Sequence, residues 1–164
     1  MPDILLSQFL GAVSGAKKRC LLEVNSNISL TTGANTSIGW SAAVYQDGHA
    51  FWAIGSPDQI DIPSDASAVR ITAQCRFASN GSLGVRNLYL SLNGSTAFAG
   101  RTYNQLPAAA ATDIGLTIAT PVIPLTPGIN VFRVFALQDS GASLDIVGLS
   151  AGISHTYVCV EVID

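Results

Sequence analysis

The sequence predicts an all-β fold, an antiparallel β-sandwich or jelly roll, and three observations predict it. After residue 20 apolar side chains recur at every second position in a series of short runs, the spacing of strands with one buried face. Clusters of Gly, Pro, Asn and Ser separate these runs, and no 3.6-residue period follows residue 20. Charged residues make up only 12% of the chain against 48% hydrophobic, so much of the surface that strands leave outside must itself be covered; ordinary domains carry about 25% charge. A mean hydropathy of +0.39 excludes a disordered chain. Ser, Thr, Asn or Gly interrupt every apolar stretch, so no run reaches the ~18 residues of a membrane helix. The 164 residues suit one domain with a single core.

The elements follow in order. Ile4, Leu5, Leu6, Phe9, Leu10 and Val13 give the first segment an apolar face, as a short amphipathic helix or an extended arm. Ten residues are marginal alone in water, so the segment is expected to dock on something. We therefore divide the chain into an anchoring arm, 1–20, and a jelly-roll domain, 21–164, with Lys17-Lys18-Arg19 as a solvated hinge. Asp3 precedes the apolar stretch and the basic triplet follows it, the reverse of a secretory signal, so synthesis in the cytoplasm is expected.

Leu22, Val24, Ile28 and Leu30 open the period of two. Ile38, Trp40, Ala42 and Val44 then fall on one face, with Ser37, Gly39, Ser41 and Ala43 opposite. Ile60 and Ile62 lead to Pro63. Val69, Ile71, Ala73, Cys75 and Phe77 alternate with Arg70, Thr72, Gln74 and Arg76, the clearest half-buried strand of the chain. Gly81-Ser82-Leu83-Gly84 reads as a hairpin tip. Leu88, Leu90 and Leu92 alternate up to Asn93-Gly94, which supplies the two positive φ angles of a tight hairpin. Residues 104–113, with Pro107 and the run Ala108 to Ala111, read as a loop. Ile114, Leu116 and Ile118 form the next strand. Val131 to Leu137 is apolar on both faces apart from Arg133 and reads as central. Leu144, Ile146 and Leu149 follow a turn at Asp139-Ser140-Gly141, and Thr156 to Ile163 closes the fold. Eight to ten strands are expected. The outer faces of the last long strands, with Tyr157, Ile163, Val131, Arg133, Phe135 and Leu137, carry too little charge for a free surface, and a symmetric oligomer is the simplest cover.

Few residues suggest chemistry. Cys20, Cys75 and Cys159 form no C-x-x-C and read as buried small hydrophobes, with Cys20 set apart by bordering the arm. His49 and His155 have no partner at metal-ligand spacing, and His155 reads as a loop or interface histidine. Asp58, Asp61 and Asp65 are the one acidic cluster, and beside Pro57 and Pro63 they read as turn caps rather than catalytic or calcium-binding acids. Neither a G-x-S-x-G nor a G-x-G-x-x-G sequence is present. No cofactor or metal is expected. A net charge of −3, with no cluster of Lys and Arg, argues against nucleic acid as a partner, and no membrane insertion is expected.

From about residue 22 onward the ordered pattern resembles the trimeric jelly rolls of the complement-globular-head and tumour-necrosis-factor-like superfamily. The resemblance is carried by Ser29-Leu30-Thr31-Thr32-Gly33, Ile38-Gly39-Trp40-Ser41-Ala42, Tyr45-Gln46-Asp47, Ile60-Asp61-Ile62-Pro63, the Val69–Phe77 strand, Leu90-Ser91-Leu92-Asn93-Gly94 and Ile129 to Phe135. Gln138-Asp139-Ser140-Gly141 and the last strand complete it. It looks most like the versions found in tailed-bacteriophage virion proteins. Gly128-Ile129-Asn130 departs from the Gly-Asp that the family often has before its penultimate long strand. The resemblance implies a homotrimer with one sheet face near the axis, Phe135 and Tyr157 at its interface, and attachment or display rather than catalysis. It makes the arm a virion anchor. Twenty extended residues reach only ~70 Å, which suits a short knob on the capsid exterior, a decoration protein or short head fibre, with the major capsid protein or another virion protein as partner. The alternative is a receptor-binding knob of a tail fibre or baseplate recognising a host-surface glycan or protein, for which Phe51, Trp52 and Tyr103 offer sugar-stacking aromatics. Either reading places the protein on the surface of the particle.

Overall fold

The computed structural model describes residues 17–79, 83–98, 102–108, 113–150 and 152–163. The expected arm residues Ile4, Leu5, Leu6, Phe9, Leu10 and Val13 lie outside them. Among the described residues there are thirteen strands and no helix. They are β1 (Arg19–Glu23), β2 (Ile28–Leu30), β3 (Thr36–Ser37), β4 (Ala42–Asp47), β5 (Ile60–Ile62), β6 (Ala68–Phe77), β7 (Gly84–Leu92), β8 (Tyr103–Ala108), β9 (Ile114–Ala119), β10 (Ile123–Pro124), β11 (Asn130–Gln138), β12 (Leu144–Ile146) and β13 (Tyr157–Ile163). The surplus over eight to ten comes from pieces of two or three residues.

Every pairing is antiparallel, and the strands form two sheets. The eight-stranded sheet runs β2-β12-β6-β13-β1-β4, with β9 and β10 also paired to β6. The five-stranded sheet runs β3-β11-β7-β8, with β5 also on β11. Strict alternation builds the core between them. Val69, Ile71, Ala73, Cys75 and Phe77 of β6 are buried, as are Val158 and Val160 of β13. Phe132, Val134 and Ala136 of β11 and Leu88 and Leu90 of β7 are also buried. Each large side chain here contributes about 1.5–3 kcal/mol of burial free energy. β11 lies between β7 and the short β3 and β5, the central place that its sequence predicts.

Four expectations change. The run Ile38-Trp40-Ala42-Val44 does not share one face: Ile38 and Trp40 are buried, whereas Val44 is 55% exposed. The chain leaves the five-stranded sheet after β3 and joins the eight-stranded sheet at β4, so Ile38 and Trp40 precede β4 and the alternation starts afresh at Ala42. Within β4, Leu21 pairs with Tyr45 and Leu22 with Ala43, so Val44 is the extra residue of a β-bulge. Residues 104–108 are not loop but belong to β8, where Pro107 sits opposite Val85. β8 ends the five-stranded path, and an edge strand tolerates the missing proline N–H. Gly81 and Ser82 of the expected hairpin tip lie outside the described residues, and the strands on either side, β6 and β7, are not paired but lie in different sheets. Lys18 and Arg19 are not a solvated hinge: Lys18 Nζ meets Asp65 at 2.6 Å, Arg19 Nε meets Asp47 at 2.9 Å, and Val162 N–H donates to the Lys18 carbonyl at 2.9 Å.

The Asn93-Gly94 turn forms as expected. Asn93 has φ 50° and Gly94 φ 80°, and the Leu92 and Ser95 backbones exchange hydrogen bonds of 2.8 and 2.9 Å around them. At one end of the sandwich the buried Gln138 amide ties three segments together. Its Nε2 donates to the carbonyls of Ala142 at 2.7 Å and Leu30 at 3.3 Å, while its Oε1 accepts from Ser140 N–H at 2.9 Å. An amide buried this way is paired on both ends.

Candidate functional site

The groups that could carry chemistry come first. Asp58, Asp61 and Asp65 do not converge on one centre. Asp58 pairs with Arg133 at 3.1 Å, Asp65 with Lys18, and Asp61 is exposed on β5. The Lys18 ammonium holds the Asp65 carboxyl below its ordinary range. Among the described residues no three His, Cys, Asp or Glu side chains are grouped as a metal site would need. His49 is set edge-on against Phe51, with ring centroids 5.1 Å apart, as a packing histidine.

The structure does bring together one serine and one histidine. Ser150 Oγ lies 2.9 Å from His155 Nε2. A nucleophilic serine needs a base oriented by an acid. Here Arg76 Nη1 stands 3.1 and 3.2 Å from the two ring nitrogens, and the acid, Asp113, binds Arg76 at 2.6 Å. A guanidinium against both ring nitrogens opposes the imidazolium a general base must become, so the cluster lacks the polarity of a triad. Asp113 is held low by Ser79 N–H, at 2.9 Å, and by Arg76. The group fastens β6 to the segments before β9 and β13.

All three cysteines are free thiols. Cys20 and Cys75 are buried, and burial pushes the Cys20 thiol up to about 12 and the Cys75 thiol still higher. Cys20 is thus core rather than set apart. Cys159 points the other way, onto the outer face of β13, with its Sγ 3.8 Å from Tyr45 Oη.

Two outer sheet faces remain. On the eight-stranded sheet the strand registers place Tyr45, Leu21, Cys159, Thr72 and Ala119 side by side across five strands. None of them is charged. The next row is Glu23, Tyr157, Gln74 and Thr117. Tyr157 Oη donates to Gln74 Oε1 at 3.4 Å, and Leu21, Glu23, Ser154 and Tyr157 line a hollow of about 240 Å³. On the other side of the uncharged row the charges alternate: Asp47, Arg19, Glu161, Arg70. An uncharged strip edged by paired charges has the anatomy of an interface core and rim.

On the five-stranded sheet Phe135, Tyr89 and Tyr103 are direct cross-strand neighbours on β11, β7 and β8. Phe135 and Tyr89 stack at 5.3 Å with an interplanar angle of 8°. Phe135 and Tyr157 therefore lie on outer faces of different sheets, so one sheet face near a threefold axis does not carry both. The same separation splits Val131, Arg133, Phe135 and Leu137 from Tyr157 and Ile163. Of the aromatics considered for sugar stacking, Phe51 is core and Trp52 is half-buried with Nε1 donating to the Pro57 carbonyl at 3.1 Å, while Tyr103 is 71% exposed. Cys159, expected in the core with the other two cysteines, instead faces outward. It, Leu21 and Tyr45 could not be joined into one row from the sequence because nothing local says which strands lie beside β1, and the same holds for Tyr89 and Asn87 on the other sheet.

Neither a protein-family model nor a curated protein matches the sequence. Solved structures do. Eiger TNF from S. frugiperda aligns with a TM-score of 0.52 at 10% identity, covering 90% of this chain and 93% of that one. Murine APRIL at pH 5.0 aligns at 0.59 and 12% identity, covering 90% and 99%. Its pH 8.0 form gives 0.59 at 14% identity. The fold is a tumour-necrosis-factor-like jelly roll. At such identities the likeness is one of fold, reached over nearly the whole length of both chains.

Proposed function

We propose that this protein is a non-enzymatic structural protein of a bacteriophage particle, a homotrimeric jelly-roll knob on the capsid exterior held by its N-terminal arm. The trimer reading is carried by one observation: the uncharged row Tyr45–Leu21–Cys159–Thr72–Ala119 on the outer face of the eight-stranded sheet. A solvated sheet face is ordinarily polar and charged. A strip like this, rimmed by Arg19–Asp47, Glu161 and Arg70, suits burial against copies of itself around a symmetry axis. Tyr157 sits beside the strip and belongs to this contact; Phe135 does not. The phage context rests on the resemblance of the residue pattern to virion jelly rolls, and the anchoring role on the apolar residues Ile4 to Val13, which precede the sandwich.

Light scattering on the purified protein tests the trimer. Three chains of 17.0 kDa give about 51 kDa, and a monomer would end the reading. Removing residues 1–16 tests the anchor. That cut spares Lys18 and Arg19, which hold β1 to the domain. The truncated protein is expected to keep the trimer mass and lose co-sedimentation with capsids. Unchanged capsid occupancy would exclude the arm as the attachment.

A further inference from the structure

We propose that the outer face of the five-stranded sheet binds a neutral saccharide, in the groove between Tyr89 and Tyr103. This rests on the groove alone and uses the face opposite the proposed trimer contact, so either reading can fail without the other. The groove encloses about 460 Å³, within the range of small-ligand sites. Tyr89 and Tyr103 are directly opposite in register on β7 and β8. Tyr89 spends one ring face on Phe135, whereas Tyr103 is 71% exposed and stacks on no ring among the described residues. A broad ring left free beside a hollow offers a flat apolar platform.

The polar groups of the groove are uncharged: the amides of Asn87 and Gln105, paired across β7 and β8 in the next row, the amide of Asn35 beyond them, and the hydroxyls of Thr96 and Thr102. No described lining residue is charged. A phosphate-bearing or acidic ligand would find no counter-charge there. The Asn87 and Gln105 amides each carry a donor and an acceptor, and a hydroxyl, which both donates and accepts, can pair with either end. A ligand with one flat C–H face, many hydroxyls and no charge is a sugar ring.

The test is titration of isotope-labelled full-length protein, followed by backbone amide NMR shifts, with neutral oligosaccharides of glucose, galactose, mannose and N-acetylglucosamine. At least one is expected to bind with shifts centred on residues 87–89 and 103–105. Tyr103→Ala, at an exposed position that folding tolerates, and Asn87→Leu should each weaken that binding about tenfold or more. Val44→Thr, at an exposed position of β4 on the other sheet, should leave it unchanged. No binding of any of these sugars at about 10 mM, binding that survives Tyr103→Ala, or binding only of a proline-rich peptide probe in the same groove would overturn the proposal.

Discussion

Asp113 shows how much a single exposed carboxylate can hold. It accepts from Ser79 N–H and binds Arg76, which in turn lies against His155. Its folded pKa is lowered, so its contribution is present above the unfolded value of about 3.9 and is lost as pH falls through the folded one. Asp113→Asn should therefore cost about 0.5–1 kcal/mol at neutral pH. In urea denaturation the gap between wild type and variant should close as pH approaches about 2. A gap that stays constant down to acid would show that the carboxylate charge plays no part. Gly148 is tight for a different reason. A Cβ built there would stand 2.8 Å from the Ser26 backbone, which has no side chain to swing away. Gly148→Ala should destabilise by about 1–3 kcal/mol, and a change below about 0.5 kcal/mol would mean that the two segments separate readily.

At the scale of elements, the long strands were legible because burial follows side-chain period: β6 and β11 alternate throughout, β7 up to Leu90 and β13 up to Val160. What the period does not encode is a break in it. Ile38 to Val44 reads as continuous alternation, yet the chain crosses from one sheet to the other between β3 and β4, and the phase starts afresh at Ala42. The edge position of β8 was equally hidden, since Pro107 argues against a strand unless the neighbouring strand is known. The new phase of β4 can be tested directly. Uninterrupted alternation puts Val44 inside and Ala43 outside; the structure has Val44 exposed and Ala43 packed on the core. Val44→Thr should then change stability by less than about 0.5 kcal/mol, while Ala43→Asp should cost about 3 kcal/mol or more by burying an unpaired charge. The reverse order in denaturant midpoints would restore the unbroken strand.

At the scale of the whole molecule the 12% charge has a distribution as well as an amount. Alternation made the outward side chains of β11 and β13 visible in the sequence, but topology assigns them to different sheets, so one expected apolar face becomes two separate ones. The eight-stranded sheet carries its uncharged row beside a row of alternating charges, and that face is the proposed symmetric contact. Tyr157→Lys should accordingly lower the solution mass from trimer towards 17.0 kDa, while Phe135→Lys should leave it unchanged. Cys159 supplies an independent readout, because it lies in the middle of the same row and Cys20 and Cys75 are core. Its thiol should react slowly with a bulky disulfide reagent in the wild type and rapidly in Tyr157→Lys, with the core thiols silent in both until the chain unfolds. Fast reaction of Cys159 in a wild-type protein of trimer mass would place the subunit contact on some other face.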